Sequence, residues 1–133
     1  MEPLLPNGSK ILLLVGFYRG KNLPERGDIV AYDYGGNRHP LIKMVRGLPG
    51  DAAEIDPIRK TLRINGEYLA NSAGTPYSFT DGELRLLGLY VKGGRLPDEG
   101  YFIFGDNVRN SVDSRKFGAV SKNDFYGKFI PKP

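Results

Sequence analysis

The longest apolar run in this chain, Ile11-Leu12-Leu13-Leu14-Val15-Gly16-Phe17-Tyr18, falls far short of the roughly 20 residues that cross a bilayer as a helix. The 18 glycines and 10 prolines leave only short apolar stretches elsewhere, and no long segment keeps a helical repeat. Short apolar runs separated by turn residues predict a mainly β, antiparallel fold. At 133 residues, 40% of them hydrophobic, the chain is the size of one domain with a real core.

Ile11 to Tyr18 reads as a buried strand, and Asp28 to Tyr32 as a second, after the turn chemistry of Pro24-Glu25-Arg26-Gly27. Pro40 to Val45 is a third. The run Thr61-Leu62-Arg63-Ile64-Asn65-Gly66-Glu67-Tyr68-Leu69 alternates apolar and polar residues about an Asn-Gly pair, which is the strongest short hairpin signal. From Asn71 to Gly100 the pattern is looser, with Gly74-Thr75-Pro76, Asp81-Gly82, Gly93-Gly94 and Pro97 as breakers and room for one short helix. Tyr101 to Phe104 returns to the core as a strand, and Phe125 to Ile130 closes the sheet. The expected organisation is a single domain, 1–133, with a core of 1–54 and 99–133 and a smaller inserted region at about 55–98.

The absence of cysteine excludes disulfides, thiolate zinc sites and cysteine nucleophiles. Lys and Arg exceed Asp and Glu by a net +4, but the two signs are interleaved. This describes a mildly basic solvated face rather than a nucleic-acid surface. A Ser-His-Asp triad is open in principle, but His39, the sole histidine, lies beside Pro40 in a loop-like run and is expected at the surface. No Cys/His cluster or phosphate-binding loop is present, so neither metal nor cofactor is expected.

Lys43 is the only charge between Leu41 and Val45, and on a strand it shares a face with those two residues. Two placements are open to it. At an edge its ammonium snorkels to water; turned inward, burial disfavours its charged form and makes it a base near neutral pH. Ser111 follows the Phe104 strand in a turn-rich segment. It reads either as a turn serine bonded to local backbone or as a partner for a desolvated amine. Asp113-Ser114-Arg115 by itself reads as an exposed turn, and Gly105-Asp106-Asn107 fits a tight Asx-type turn. Each alone is an ordinary surface feature.

Taken in order, Met1-Glu2-Pro3-Leu4, Gly27-Asp28-Ile29-Val30, Leu41-Ile42-Lys43-Met44-Val45-Arg46-Gly47-Leu48-Pro49-Gly50-Asp51 and Gly105-Asp106-Asn107-Val108-Arg109-Asn110-Ser111-Val112-Asp113-Ser114-Arg115 resemble the motifs of type I signal peptidases. These are membrane-anchored serine proteases with a Ser/Lys dyad. The resemblance implies Lys43 as general base, with Ser111 orienting its amine and Asp113, Arg115, Gly105, Asp106 and Asn107 supporting the loop. It implies a pocket for small side chains from Met1, Leu5, Ile42 and Val112 and a substrate extended along Leu41 to Lys43, with Leu41 standing where some members carry an aromatic residue. In the family's Ser-Met-x-Pro segment the nucleophilic serine would sit immediately before Met1, so the chain as written is expected to be an inactive fragment. The implied activity is removal of N-terminal signal peptides from exported preproteins at small-x-small sites. The implied location is the extracytoplasmic side of the cytoplasmic membrane, with the lipid surface and preproteins as partners. Three alternatives remain open on sequence: a conjugative-transfer pilin peptidase with the same dyad, a self-cleaving repressor, and a non-catalytic peptide-binding domain. The lack of a helix-turn-helix pattern argues against the repressor.

Overall fold

The structure, a computed structural model, describes residues 11–35, 39–109 and 111–131. Two antiparallel sheets account for most of it. The larger contains β1 (Ile11–Val15), β8 (Phe125–Pro131), β2 (Ile29–Tyr32), β3 (Leu41–Gly47) and β7 (Phe102–Phe104), in that spatial order. The smaller runs β4 (Ala53–Asp56), β5 (Thr61–Ile64), β6 (Glu67–Tyr68). Two helices, α1 (Asp81–Gly88) and α2 (Ser114–Phe117), flank them. Among the described residues no helix is long and apolar enough to cross a membrane.

β7 organises the packing because it is buried on both faces. Phe102 and Phe104 point into a cluster with Leu62 of β5, Leu84 and Leu87 of α1, and Tyr77. Ile103, between them, points the other way onto Val30, Val45 and Tyr101. The alternation of a strand thus places one short apolar segment in two cores. Gly47 is needed where β3 passes β7, since a Cβ there would stand 2.8 Å from Leu96 Cδ2 and 3.0 Å from Phe102 Cβ.

The Asn65-Gly66 hairpin forms as its sequence predicts, with φ of 52° at Asn65 and 85° at Gly66. The loose segment does contain one helix, but Asp81-Gly82 begins it rather than breaking the chain. Thr80 Oγ1 accepts the Glu83 amide at 3.1 Å and Glu83 Oε1 accepts the Thr80 amide at 2.9 Å, a reciprocal cap that satisfies two of the free donors at a helix start.

The reading of Ile11 to Tyr18 as a buried strand is corrected. β1 ends at Val15, the chain turns at Gly16 (φ 75°), and only Tyr18 of the final three residues reaches full burial. Among the described residues β1 is an edge strand, paired on one side with β8, and Leu12, Leu14 and Val15 are 40%, 36% and 56% exposed.

Gly66→Ala places a Cβ in the left-handed region and is expected to lower stability by about 1 to 2 kcal/mol, read as a drop in the urea midpoint. An unchanged midpoint would contradict the hairpin geometry.

Candidate active site

Lys43 sits in the middle of β3, opposite Val30 of β2. It shares a face with buried Val45 and half-buried Leu41, and is itself only 9% exposed. The strand alternation therefore turns the lysine inward, the less common of its two placements. Its Nζ donates to Ser111 Oγ at 2.6 Å. Burial lowers the Lys43 pKa below its ordinary value; the Asp113 carboxylate opposes that shift and the Arg115 guanidinium adds to it. A desolvated amine with a lone pair, held by a hydroxyl, is a competent proton acceptor.

The loop that carries Ser111 is closed by Asp113. This carboxylate, fully buried, accepts the Gly105 amide at 2.8 Å and the Arg115 amide at 3.0 Å. It also accepts Arg115 Nε at 2.9 Å and Nη2 at 2.7 Å. Arg115 is raised further above its ordinary pKa: burial works against it, but the Asp113 hydrogen bond and charge outweigh the burial. Its Nη1 donates to the Val108 carbonyl at 2.7 Å and its Nη2 to the Asn107 carbonyl at 3.4 Å. The guanidinium lies 5.1 Å from the centre of the Tyr77 ring. These bonds hold the turn between β7 and α2 rather than contacting a reacting atom. Next to Asp113, Ser114 Oγ accepts the Ile103 amide at 2.8 Å and ties α2 to β7.

Gly105 has a steric role as well. A Cβ there would overlap Ser111 Oγ and come within 3.2 Å of Lys43 Nζ, so only glycine lets the backbone line the amine. Asp106 is buried and accepts the Ser72 amide at 2.7 Å and the Ser72 hydroxyl. Asn107 Oδ1 accepts the Arg109 amide at 3.0 Å, forming the expected Asx turn. Other motif residues serve other turns. Asp28 accepts the Tyr18 hydroxyl at 2.8 Å, and Asp51 accepts Arg26 at 2.7 and 3.0 Å and the Leu48 amide at 2.8 Å.

β3 pairs with β2 from Leu41 to Met44, but with β7 only at Met44, Val45 and Gly47. On the β7 side, Leu41 to Lys43 therefore have no strand partner among the described residues. Leu41 and Ile42 are half-buried beside this open edge and Val112 is exposed. Met1 and Leu5 lie outside the described residues. His39 is exposed in the bend before β3, and no group of three His, Cys, Asp or Glu residues that could hold a metal occurs among the described residues. Asn71, Ser72 and Tyr77, which bond to the Gly105-Asp106 backbone and to the Asp106 carboxylate, were not anticipated from sequence. Their one local signal is an Asx turn at Asn71.

The family described as "Signal peptidase, peptidase S26" matches residues 1–131. A probable signal peptidase I-2 of Synechocystis sp. is 30% identical over 144 residues, covering 100% of this chain and 60% of its own. Signal peptidase I of Bacillus amyloliquefaciens is 34% identical, covering 98% of this chain and 68% of its own. The chain thus spans roughly two thirds of these relatives. The crystal structure of a signal peptidase I from Enterococcus faecalis V583 is 31% identical and superposes with a TM-score of 0.57, over 84% of this chain and 100% of that one.

Because the Lys43 pKa is lowered on folding, the folded chain binds fewer protons than the unfolded chain between that lowered value and about 10.4. Stability contributed by this group therefore rises with pH across the window and is complete above it. In urea unfolding from pH 7 to 10.5, the unmodified chain should gain on Lys43→Met as pH rises; two parallel series would contradict a depressed amine.

Proposed function

The chain belongs to the signal peptidase family, peptidase S26, and on that premise we propose that it carries the base half of a Ser/Lys site that removes signal peptides from exported preproteins. The observation that carries this reading is the 2.6 Å bond from Lys43 Nζ to Ser111 Oγ, made by a lysine whose pKa burial has lowered. In this reading the nucleophile is the serine of the Ser/Lys dyad. Its Oγ attacks the scissile carbonyl as Lys43 takes the hydroxyl proton. The resulting ammonium gives that proton to the departing amine, and water then hydrolyses the ester with Lys43 again as base. Ser111 keeps the amine aimed, while Asp113, Arg115 and the Gly105-Asp106-Asn107 turn hold Ser111 in place.

The edge of β3 along Leu41 to Lys43, which no strand among the described residues pairs on the β7 side, supports a substrate bound there as an added strand. β7 takes the same edge from Met44 onward, so the bound segment extends past Leu41 and not past Met44. Ile42 and Val112 form part of the wall of a small pocket that excludes bulky side chains; each excluded methylene contributes about 1 to 3 kcal/mol of discrimination. The domain works at the extracytoplasmic face of the cytoplasmic membrane, where preproteins emerge. Residues 55–98, including the smaller sheet and α1, serve as the inserted region of one catalytic domain.

A form of the protein with serine directly before Met1, supplied with lipid or detergent, is expected to cleave an alanine-site preprotein. Lys43→Ala in that form should lose about 10²- to 10⁴-fold in rate, and Ser111→Ala less. Retention of full rate by a folded Lys43→Ala protein would end the reading.

A further inference from the structure

The segment from Ala70 to Tyr77 belongs to the loosely patterned part of the sequence, yet it grips both strands that build the amine site. On one side the Ala70 carbonyl accepts Arg46 Nη2, three residues beyond Lys43 on β3. On the other side Tyr77 donates its hydroxyl to the Gly105 carbonyl at 2.6 Å. Asn71 Nδ2 donates to the Asp106 carbonyl at 2.9 Å, and Ser72 donates its amide and hydroxyl to the Asp106 carboxylate. Asn71 is itself preset for this bond. Its Oδ1 accepts the amides of Ala73 at 3.0 Å and Thr75 at 2.9 Å, which leaves its amide group directed at the turn. Tyr77 and Asn71 are buried.

We propose that Asn71, Ser72 and Tyr77 are positioning residues that hold the Gly105-Asp106 backbone against the Lys43–Ser111 pair and so keep the amine desolvated and aimed. The proposal rests on the reading of Lys43 as base. The steric margin makes it specific. With a Cβ at Gly105 overlapping Ser111 and reaching 3.2 Å from Nζ, a shift of this backbone by a few tenths of an ångström changes the wall of the amine. The Gly105 amide is fixed by Asp113, but its carbonyl and the following peptide are fixed by the 70–77 segment. Loss of those bonds lets the turn swing out, separates Ser111 from Nζ and admits water.

The charges acting on Lys43 are Asp113, which favours its protonated form, and Arg115, which disfavours it. β2 presents Val30, and the 70–77 segment reaches Lys43 through the Gly105 backbone. A purely structural role would lower stability without changing the titration of Lys43, so the decisive readout is that titration. It is followed in the intact chain by competitive acetylation with acetic anhydride across pH and mass spectrometry of the Lys43 peptide. Ser72→Ala and Tyr77→Phe should each raise the Lys43 midpoint by about one pH unit, as water returns to the amine. Ser72→Thr, which retains the hydroxyl, should restore it. Tyr18→Phe, which removes another buried hydroxyl bond, that to Asp28, should lower stability without moving the midpoint.

Either variant suffices if the other fails to fold. An unchanged midpoint in a folded Ser72→Ala or Tyr77→Phe chain would overturn the clamp. A midpoint at the ordinary lysine value in the unmodified chain would instead overturn the base reading on which it rests.

Discussion

The carboxylate of Asp113 is the point on which the site depends. A charge taken this far from water is tolerated only when its lone pairs are filled. Here they are filled by the amides of Gly105 and Arg115 and by two guanidinium nitrogens. The same bonds cap α2, join the end of β7 to the start of α2, and close the loop that presents Ser111. Arg115 then spends its remaining donors on the carbonyls of Asn107 and Val108. The pair holds the turn between β7 and α2.

That turn matters because of where β7 stops. Three residues, Phe102 to Phe104, divide their side chains between two cores, and the chain then leaves the sheet at Gly105. β3 continues in the opposite direction beyond the end of its neighbour. The last paired residue on that side, Met44, adjoins Lys43. The lysine therefore lies at the boundary between sheet that is paired on both sides and sheet that, among the described residues, is paired on one side only.

Much of this is legible in the sequence because it is local. The face that Lys43 shares with Leu41 and Val45 follows from strand alternation and the Asn65-Gly66 hairpin from turn chemistry, while the Asp113–Arg115 pair is implied only by the resemblance to type I signal peptidases. What was missed depends on contacts between distant residues. Whether Ile11 to Val15 is buried is decided by its position at the sheet edge, paired with Gly127 to Pro131, and apolar content alone does not show that. The role of Asn71, Ser72 and Tyr77 is decided by Gly105 and Asp106, some thirty residues on; read locally, Asn-Ser-Ala-Gly is any polar turn. Thr80 and Glu83 did carry a local cap signal, but the intervening Asp-Gly suggested a break instead.

The central claim is that Lys43 is the base of the reaction, and its most direct test is the pH dependence of kcat/KM for an alanine-site preprotein, measured on the serine-bearing form. The account predicts that activity rises with pH through one ionisation below the ordinary lysine value of about 10.4. It also predicts that this limb moves upward when Ser111 is replaced by alanine. A limb at the ordinary lysine value would contradict it.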